Sequence, residues 1–175
     1  MMADAFPPFD LTAPLDRCRD TIIADWVDAN RHMNVACYML VFDKATEVFL
    51  QQAGAGRAYT ESCAGTVFAL EAYIRYEREL GLGDDVRITT RLVDHDRKLL
   101  HLLHAMYHQQ SGARAATMEL LLLHVDPNTR RGSPWPQMIL DRLERLIVSH
   151  RTLASPEDDR LKIRIRRKPA GDGNS

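Results

Sequence analysis

DWVDANRHMNVACY, residues 25–38, joins a run of turn formers to a run of helix formers. Residues 28–34 are dense in polar and turn-favouring side chains, so they read as a loop. Asn34 fits a helix N-cap, because its side-chain oxygen can accept from first-turn amides that have no partner inside the helix. From residue 35 to 51 the apolar side chains fall with helical period, and Tyr38, Val41, Phe42, Ala45 and Phe49 share one face. Met39, Leu40, Val48 and Leu50 widen that face, and Gly54 and Gly56 supply the stop. A helix this apolar is expected to be wrapped by a sheet.

The flanking segments supply one. Residues 18–26 read as a first strand. Beyond the helix, residues 66–78, 86–93, 99–108 and 115–125 alternate or are β-branched, with turns at 81–85, 94–98 and 109–112. Strands spaced this way are expected to pair antiparallel in a meander. In the first of them, alternation puts Phe68, Leu70, Ala72, Ile74 and Tyr76 on one face, with Val67, Glu71 and Arg75 on the other. A last amphipathic helix is expected over residues 137–150. The class is α+β: a curved antiparallel sheet around a central long helix, with an appended C-terminal helix. Residues 1–15 read as a proline-broken arm and 16–152 as one domain. Residues 153–175 read as a tail in which 161–168 adds an edge strand before a disordered end.

Composition narrows the partners. The formal net charge of −1 gives no field to attract nucleic acid or an anionic membrane, so an anionic ligand must be held by local cations. Cys18, Cys37 and Cys63 make an odd set without a CxxC pair, which argues against a disulfide framework and a zinc ribbon. No apolar run is long enough to span a bilayer, and the acidic, proline-broken start lacks a signal-peptide pattern. A cytoplasmic setting is the expectation.

The loop and helix start also carry chemistry. A carboxylate (Asp28) and an imidazole (His32) lie on a loop that opens a helix. The first amides of that helix sit at the positive end of its dipole and lack acceptors. A carbonyl oxygen resting there is stabilised as it becomes an oxyanion, a contribution of about 2.7–4 kcal/mol per donor. Asp28 can deprotonate water or attack the carbonyl itself. A thiolate leaves without a strong general acid, so the arrangement suits a thioester.

The run Asp28, His32, Met33, Asn34, Tyr38 (D-x-x-x-H-M-N-x-x-x-Y) resembles the 4-hydroxybenzoyl-CoA thioesterase branch of the hotdog superfamily. Residues 42–47 (FDKATE), Leu70-Glu71-Ala72, Tyr76, Arg78-Glu79-Leu80 and Gly83-Asp84 extend the resemblance, in the expected order, over about residues 21–136. Nearest in flavour are bacterial proteins similar to betainyl-CoA thioesterases. The resemblance implies a hotdog fold, an acyl-CoA substrate, no metal or other cofactor, and homodimers or homotetramers with active sites between subunits. It makes Asp28 the catalytic acid, with His32 beside it, and the backbone around Asn34, Val35 and Ala36 the oxyanion hole. It also suggests a substrate pocket lined by Asn34, Tyr38, Phe42 and Glu71. Two positions depart from the pattern: Arg31 stands where many relatives have glycine, and Ala29 replaces a bulkier side chain.

Several residues carry two readings. Asp28 either caps its turn or performs catalysis, and His32 either polarises the substrate or is structural. Glu71 either meets a cationic acyl group at an intersubunit pocket or faces solvent. Arg97 and Lys98 at a hairpin tip, with Arg130 and Arg131 after the last strand, either hold CoA phosphates or are solvated. His104 and His108 share a strand face while His101 points away, so they do not suggest a metal. Cys37 reads as a structural thiol, and the basic stretch 162–168 as a solvated edge. A non-catalytic acyl-CoA or acyl-carrier-protein binder keeps the same pocket. A hotdog hydratase is disfavoured, because Asp28 and His32 are four apart where D-x-N-P-x-H needs five.

Overall fold

The computed structural model of the chain describes residues 13–153 and 161–167. The period that begins at Val35 forms the helix it predicts. Asn34 Oδ1 accepts from Ala36 N–H at 2.9 Å, and α1 (Val35–Ala53) runs until Gly54 turns left-handed at φ 87°. Tyr38, Val41, Phe42, Ala45 and Phe49 are all buried. Burying one large apolar side chain contributes about 1.5–3 kcal/mol, against about 1 kcal/mol for a cap. The stripe, more than the cap, therefore fixes α1 to the sheet.

The sheet has five antiparallel strands: β1 (Leu15–Thr21), β2 (Thr66–Tyr76), β3 (Asp85–His95), β4 (Leu99–His108) and β5 (Arg114–Val125). Their order is β1-β3-β4-β5-β2, so the expected meander holds only for β3-β4-β5. β2 pairs with β5 because the chain between β2 and β3 crosses the end of the sheet and is itself anchored there. Leu80 in that connector is buried, Gly83 N–H donates to Ile22 O, and Met33 N–H donates to Leu80 O at 2.7 Å. The first strand is also shorter than expected. β1 ends at Thr21, and residues 24–26 form a 3₁₀ turn that buries Trp26.

A bulge corrects the facing of β2. Ala69 lies opposite Leu122 and Glu71 opposite Leu121, so Leu70 is the extra residue and parity changes there. Val67, Ala69, Ala72 and Ile74 consequently face the helix side, and Phe68 lies under the Arg130 guanidinium at 4.6 Å. α1 packs over β1 and β3, leaving a groove between itself and the inner face of β2.

After β5, short helix α2 (Arg57–Glu61) having preceded β2, the chain forms α3 (Gln137–Arg151). Ile139, Leu143, Leu146 and Ile147 of α3 join the core, and His150 Nδ1 accepts from Leu92 N–H, a donor freed by a second bulge in β3. Residues 161–167 form no edge strand; they lie across the outer face of the sheet. Ile163 and Ile165 pack on Leu121 and Leu99, while Lys162 and Ile163 N–H donate to the buried Glu119 carboxylate. That carboxylate takes the place of a strand partner. The sequence-based expectations for residues 1–12, 154–160 and 168–175 lie outside the described residues. Among the described residues, no helix is long and apolar enough to cross a membrane.

Candidate active site

The loop before α1 is closed by its own backbone. Val27 and Met33 bridge, Asp28 N–H donates to His32 O at 2.9 Å, and Arg31 N–H donates to Asp28 O at 2.9 Å. This is a three-residue hairpin loop in which a type I turn is followed by a left-handed residue. Arg31 is that residue, at φ 66°, which is why a glycine suits the position. Asp28 Oδ1 accepts from Asn30 N–H at 2.8 Å. Capping uses one carboxylate oxygen, which orients the group and leaves the other oxygen available. Asp28 is half-buried.

The three expected oxyanion donors differ in how they are engaged. Asn34 N–H donates to Trp26 O at 2.7 Å, and Ala36 N–H to Asn34 Oδ1. Both are spent on holding the loop and capping the helix. Val35 N–H enters none of the hydrogen bonds of the described residues, and Val35 is exposed. Asn34 therefore acts as the N-cap. His32 Nε2 lies 3.1 Å from Glu79 Oε2, both partly open to solvent. Glu79 comes from the connector that crosses the sheet end, and its role is invisible until the crossover is known.

Two expected pocket residues lie apart from the groove of a single copy. Phe42 is fully buried beside the His104 ring and lines no groove, because it belongs to the core stripe. Glu71 follows the bulge and points away from the helix side, exposed. Tyr38 is buried edge-on against Tyr76, its ring centroid 5.1 Å away, with burial raising its pKa. The groove, about 270 Å³, is lined on the helix side by Met39, Asp43 and Glu47. With Val35 these are every fourth residue, so the groove continues the face that starts at the unengaged amide. Sequence reading missed Asp43 and Glu47 because polar helix positions ordinarily face solvent. Among the described residues the outer edge of β2 pairs with no strand, and Leu70, Tyr73, Tyr76, Val35 and Met39 are exposed around it.

The candidate CoA-binding cations gather at the opposite end of the strands. Lys98 Nζ donates to Gly132 O at 2.9 Å, joining the β3–β4 hairpin tip to the turn that carries Arg130 and Arg131. Arg97 and Lys98 open onto a cavity that Arg166 and Arg167 also line, two residues absent from the sequence-based set. His101 and His104 lie on opposite faces of β4, and among the described residues no three metal-ligating side chains converge.

A family profile described as the thioesterase-like superfamily matches residues 23–143. The betainyl-CoA thioesterase of Pseudomonas aeruginosa is 36% identical over 136 residues, covering 78% of this chain and 86% of that protein. An L-carnitine dehydrogenase/betainyl-CoA thioesterase of Rhizobium meliloti is 29% identical over 85% of this chain, which spans only 30% of that longer protein. A hypothetical protein from Staphylococcus aureus, solved in complex with CoA, superposes with a TM-score of 0.77 at 28% identity, covering 89% of this chain and 99% of that one. The 1,4-dihydroxy-2-naphthoyl-CoA thioesterase of Synechocystis shares the fold at a TM-score of 0.67 and 11% identity, covering 75% of this chain and 96% of that one.

Proposed function

The chain belongs to the thioesterase-like superfamily and has its hotdog fold, and we propose that it hydrolyses an acyl-CoA with Asp28 as general base or nucleophile. The observation that carries this reading is the closed loop. It holds a half-buried carboxylate by one oxygen, and two residues beyond its bridge begins a helix whose Val35 amide is unengaged. A thioester oxygen accepting from Val35 N–H lies on the positive end of the α1 dipole, where developing charge is stabilised by about 2.7–4 kcal/mol per donor. Asp28 then activates water or attacks the carbonyl carbon. The CoA thiol, far more acidic than an alcohol, departs as thiolate without a strong general acid. His32, braced by Glu79, borders the same opening.

One copy of the chain is not a complete enzyme in this reading. β2 is an 11-residue edge strand with exposed Leu70, Tyr73 and Tyr76, and such an edge invites a partner strand. A second copy added antiparallel along β2 joins the two sheets and covers the groove. It also sets the start of the partner's β2 beside Asp28. Among the described residues the groove bears Asp43 and Glu47 and no cation, which favours an acyl group with positive charge; the Pseudomonas relative is named for betainyl-CoA.

Free-thiol release from a panel of acyl-CoAs tests the proposal. Asp28→Asn is expected to lower turnover by about 10²–10⁴-fold, with a wild-type melting temperature, because the amide oxygen still accepts from Asn30 N–H. Undiminished release by the variant refutes the assignment. Tight acyl-CoA binding by wild type without release favours a binding protein instead.

A further inference from the structure

The groove beside α1 ends at α2, so the way α2 is held bears on what the groove accepts. The long wall follows Met39, Asp43, Glu47 and Leu50, about 16 Å of helix at 1.5 Å per residue. Past Leu50 the chain turns at Gly54, and Ala55 and Thr60 stand at the far end with Thr66 of β2. An acyl group whose carbonyl rests at Val35 N–H, and whose tail follows this wall, points at Thr60.

α2 has little packing of its own to fix it. None of its five residues is buried, so apolar burial contributes little to its position. Among the described residues, two side chains reach it from other elements. Glu47 Oε1 accepts from Arg57 N–H at 2.9 Å, and Tyr59 Oη lies 2.8 Å from His124 Nε2. His124 is a firm anchor. It is buried in β5, its backbone N–H donates to Lys98 O, and its ring packs 4.5 Å from Trp135. Its Nδ1 lies 2.9 Å from Ser133 O. A carbonyl only accepts, so Nδ1 carries a proton, and in the neutral ring Nε2 accepts from the Tyr59 hydroxyl. Ala64 O, 3.1 Å from that hydroxyl, is its alternative acceptor. Parting from His124 therefore leaves the phenol proton a partner and cuts the tie of α2 to the sheet.

Two glycines bracket this helix at close approaches. A Cβ at Gly56 would lie 2.8 Å from Gln51 Cα. A Cβ at Gly65 would lie inside contact distance of both His124 Nε2 and Tyr59 Oη. The latch between those two side chains thus crosses directly over Gly65, and a larger residue there would wedge it apart.

We propose that α2 is the end wall of the acyl groove, and that the Tyr59–His124 latch sets the length of acyl group the groove accepts. The inference rests on the acyl-CoA reading and adds the property by which one ester is told from another. With the latch closed, a tail that outgrows the groove meets Thr60 and Ala55. A misfit of one methylene in such a pocket changes kcat/KM by about tenfold or more. Tyr59 is a positioning residue, since it acts through Thr60, its neighbour on α2. The wall is also tied to the charge of the groove, because the Glu47 carboxylate that lines the groove holds the first amide of α2.

The test measures kcat/KM of the full chain for butanoyl-, hexanoyl- and octanoyl-CoA, and for the same acyl groups carrying a terminal trimethylammonium. Tyr59→Phe removes only the latch hydroxyl and is expected to raise the octanoyl-to-butanoyl ratio about tenfold in each series that is hydrolysed. Gly65→Ala, which separates the latch from the opposite side, is expected to move the ratio in the same direction. Thr60→Leu thickens the wall and is expected to lower the ratio about tenfold. A latch that matters only for folding lowers release from all esters in one proportion. That result, or wild-type ratios in every variant, overturns the proposal. Melting curves identify a variant that does not fold, and Thr60→Leu, on a helix with no buried residue, then decides between the outcomes. Absence of release from all these esters by wild type overturns the hydrolase reading instead. Calorimetric affinities of the butanoyl- and octanoyl-length CoA thioethers for wild type and Tyr59→Phe then decide the end wall by themselves.

Discussion

Arg31 at φ 66° occupies backbone space that an L side chain enters at a cost of about 1–2 kcal/mol. Glycine removes that cost but gains freedom in the unfolded chain, returning about 0.5–1 kcal/mol. Arg31→Gly is therefore expected to be neutral to about 1.5 kcal/mol more stable, whereas β-branched Arg31→Val is expected to lose more than about 1 kcal/mol. Urea denaturation gives the order Gly, Arg, Val, and a different order rejects the turn geometry. The second residue-scale feature is His104. Thr46 Oγ1 donates to Phe42 O, so it accepts from His104 Nε2–H, and Nδ1 accepts from Thr90. Complete burial holds the imidazole neutral, its pKa lowered from 6.5 to about 3. Below pH 6.5 the unfolded chain takes up a proton that the folded chain refuses. Stability is thus fully present above that pH and falls by about 1.4 kcal/mol per unit as the pH drops toward 3. His104→Gln is expected to flatten the slope of unfolding free energy between pH 6.5 and 4, and an unchanged slope assigns the acid loss to other groups.

At the scale of elements, α1, β3, β4, β5 and α3 were legible because each carries its own period. The Val35 start, the Gly54 stop and the 99–108 strand were all readable one residue at a time. Two features were not. The Leu70 bulge inverts the facing of β2 without disturbing its composition, and the pairing of β2 with β5 is decided by where the connector packs, through Leu80. Alternation along one strand contains neither fact. The same limit applies to the site: Asp28, His32 and Asn34 are neighbours in sequence and were found together. Glu79 arrives from the β2–β3 connector, a segment that only the topology brings near His32. The unpaired β2 edge has its own consequence. Tyr73→Lys places a charge on the apolar edge and is expected to shift the chain toward monomer in sedimentation, with activity falling in parallel. Full oligomerisation by the variant shows that copies associate elsewhere.

For the whole molecule, the outer face of the sheet is the telling surface. Strands covered on one side by helices ordinarily leave the other side polar and wet, yet here Leu121, Glu119 and His101 are buried beneath residues 161–167. His101 is held below its ordinary pKa by that burial, against the pull of Glu119. Ile163→Asp is expected to release the strap and lower stability by up to about 3 kcal/mol, the burial of one isoleucine. Unaltered urea stability shows that the strap is not bound in solution. The placement of two aromatic residues makes both ends of the molecule observable. Trp26 and Trp135 are the chain's only tryptophans. Trp26 O receives Asn34 N–H beneath the Asp28 loop, with the Lys44 ammonium 4.7 Å from its ring. Trp135 N–H donates to Arg97 O at the other end, where its ring stacks on His124. Replacing either one with phenylalanine leaves a single indole whose fluorescence reports on one end alone, so occupancy of the two regions can be followed separately in a stopped-flow cell.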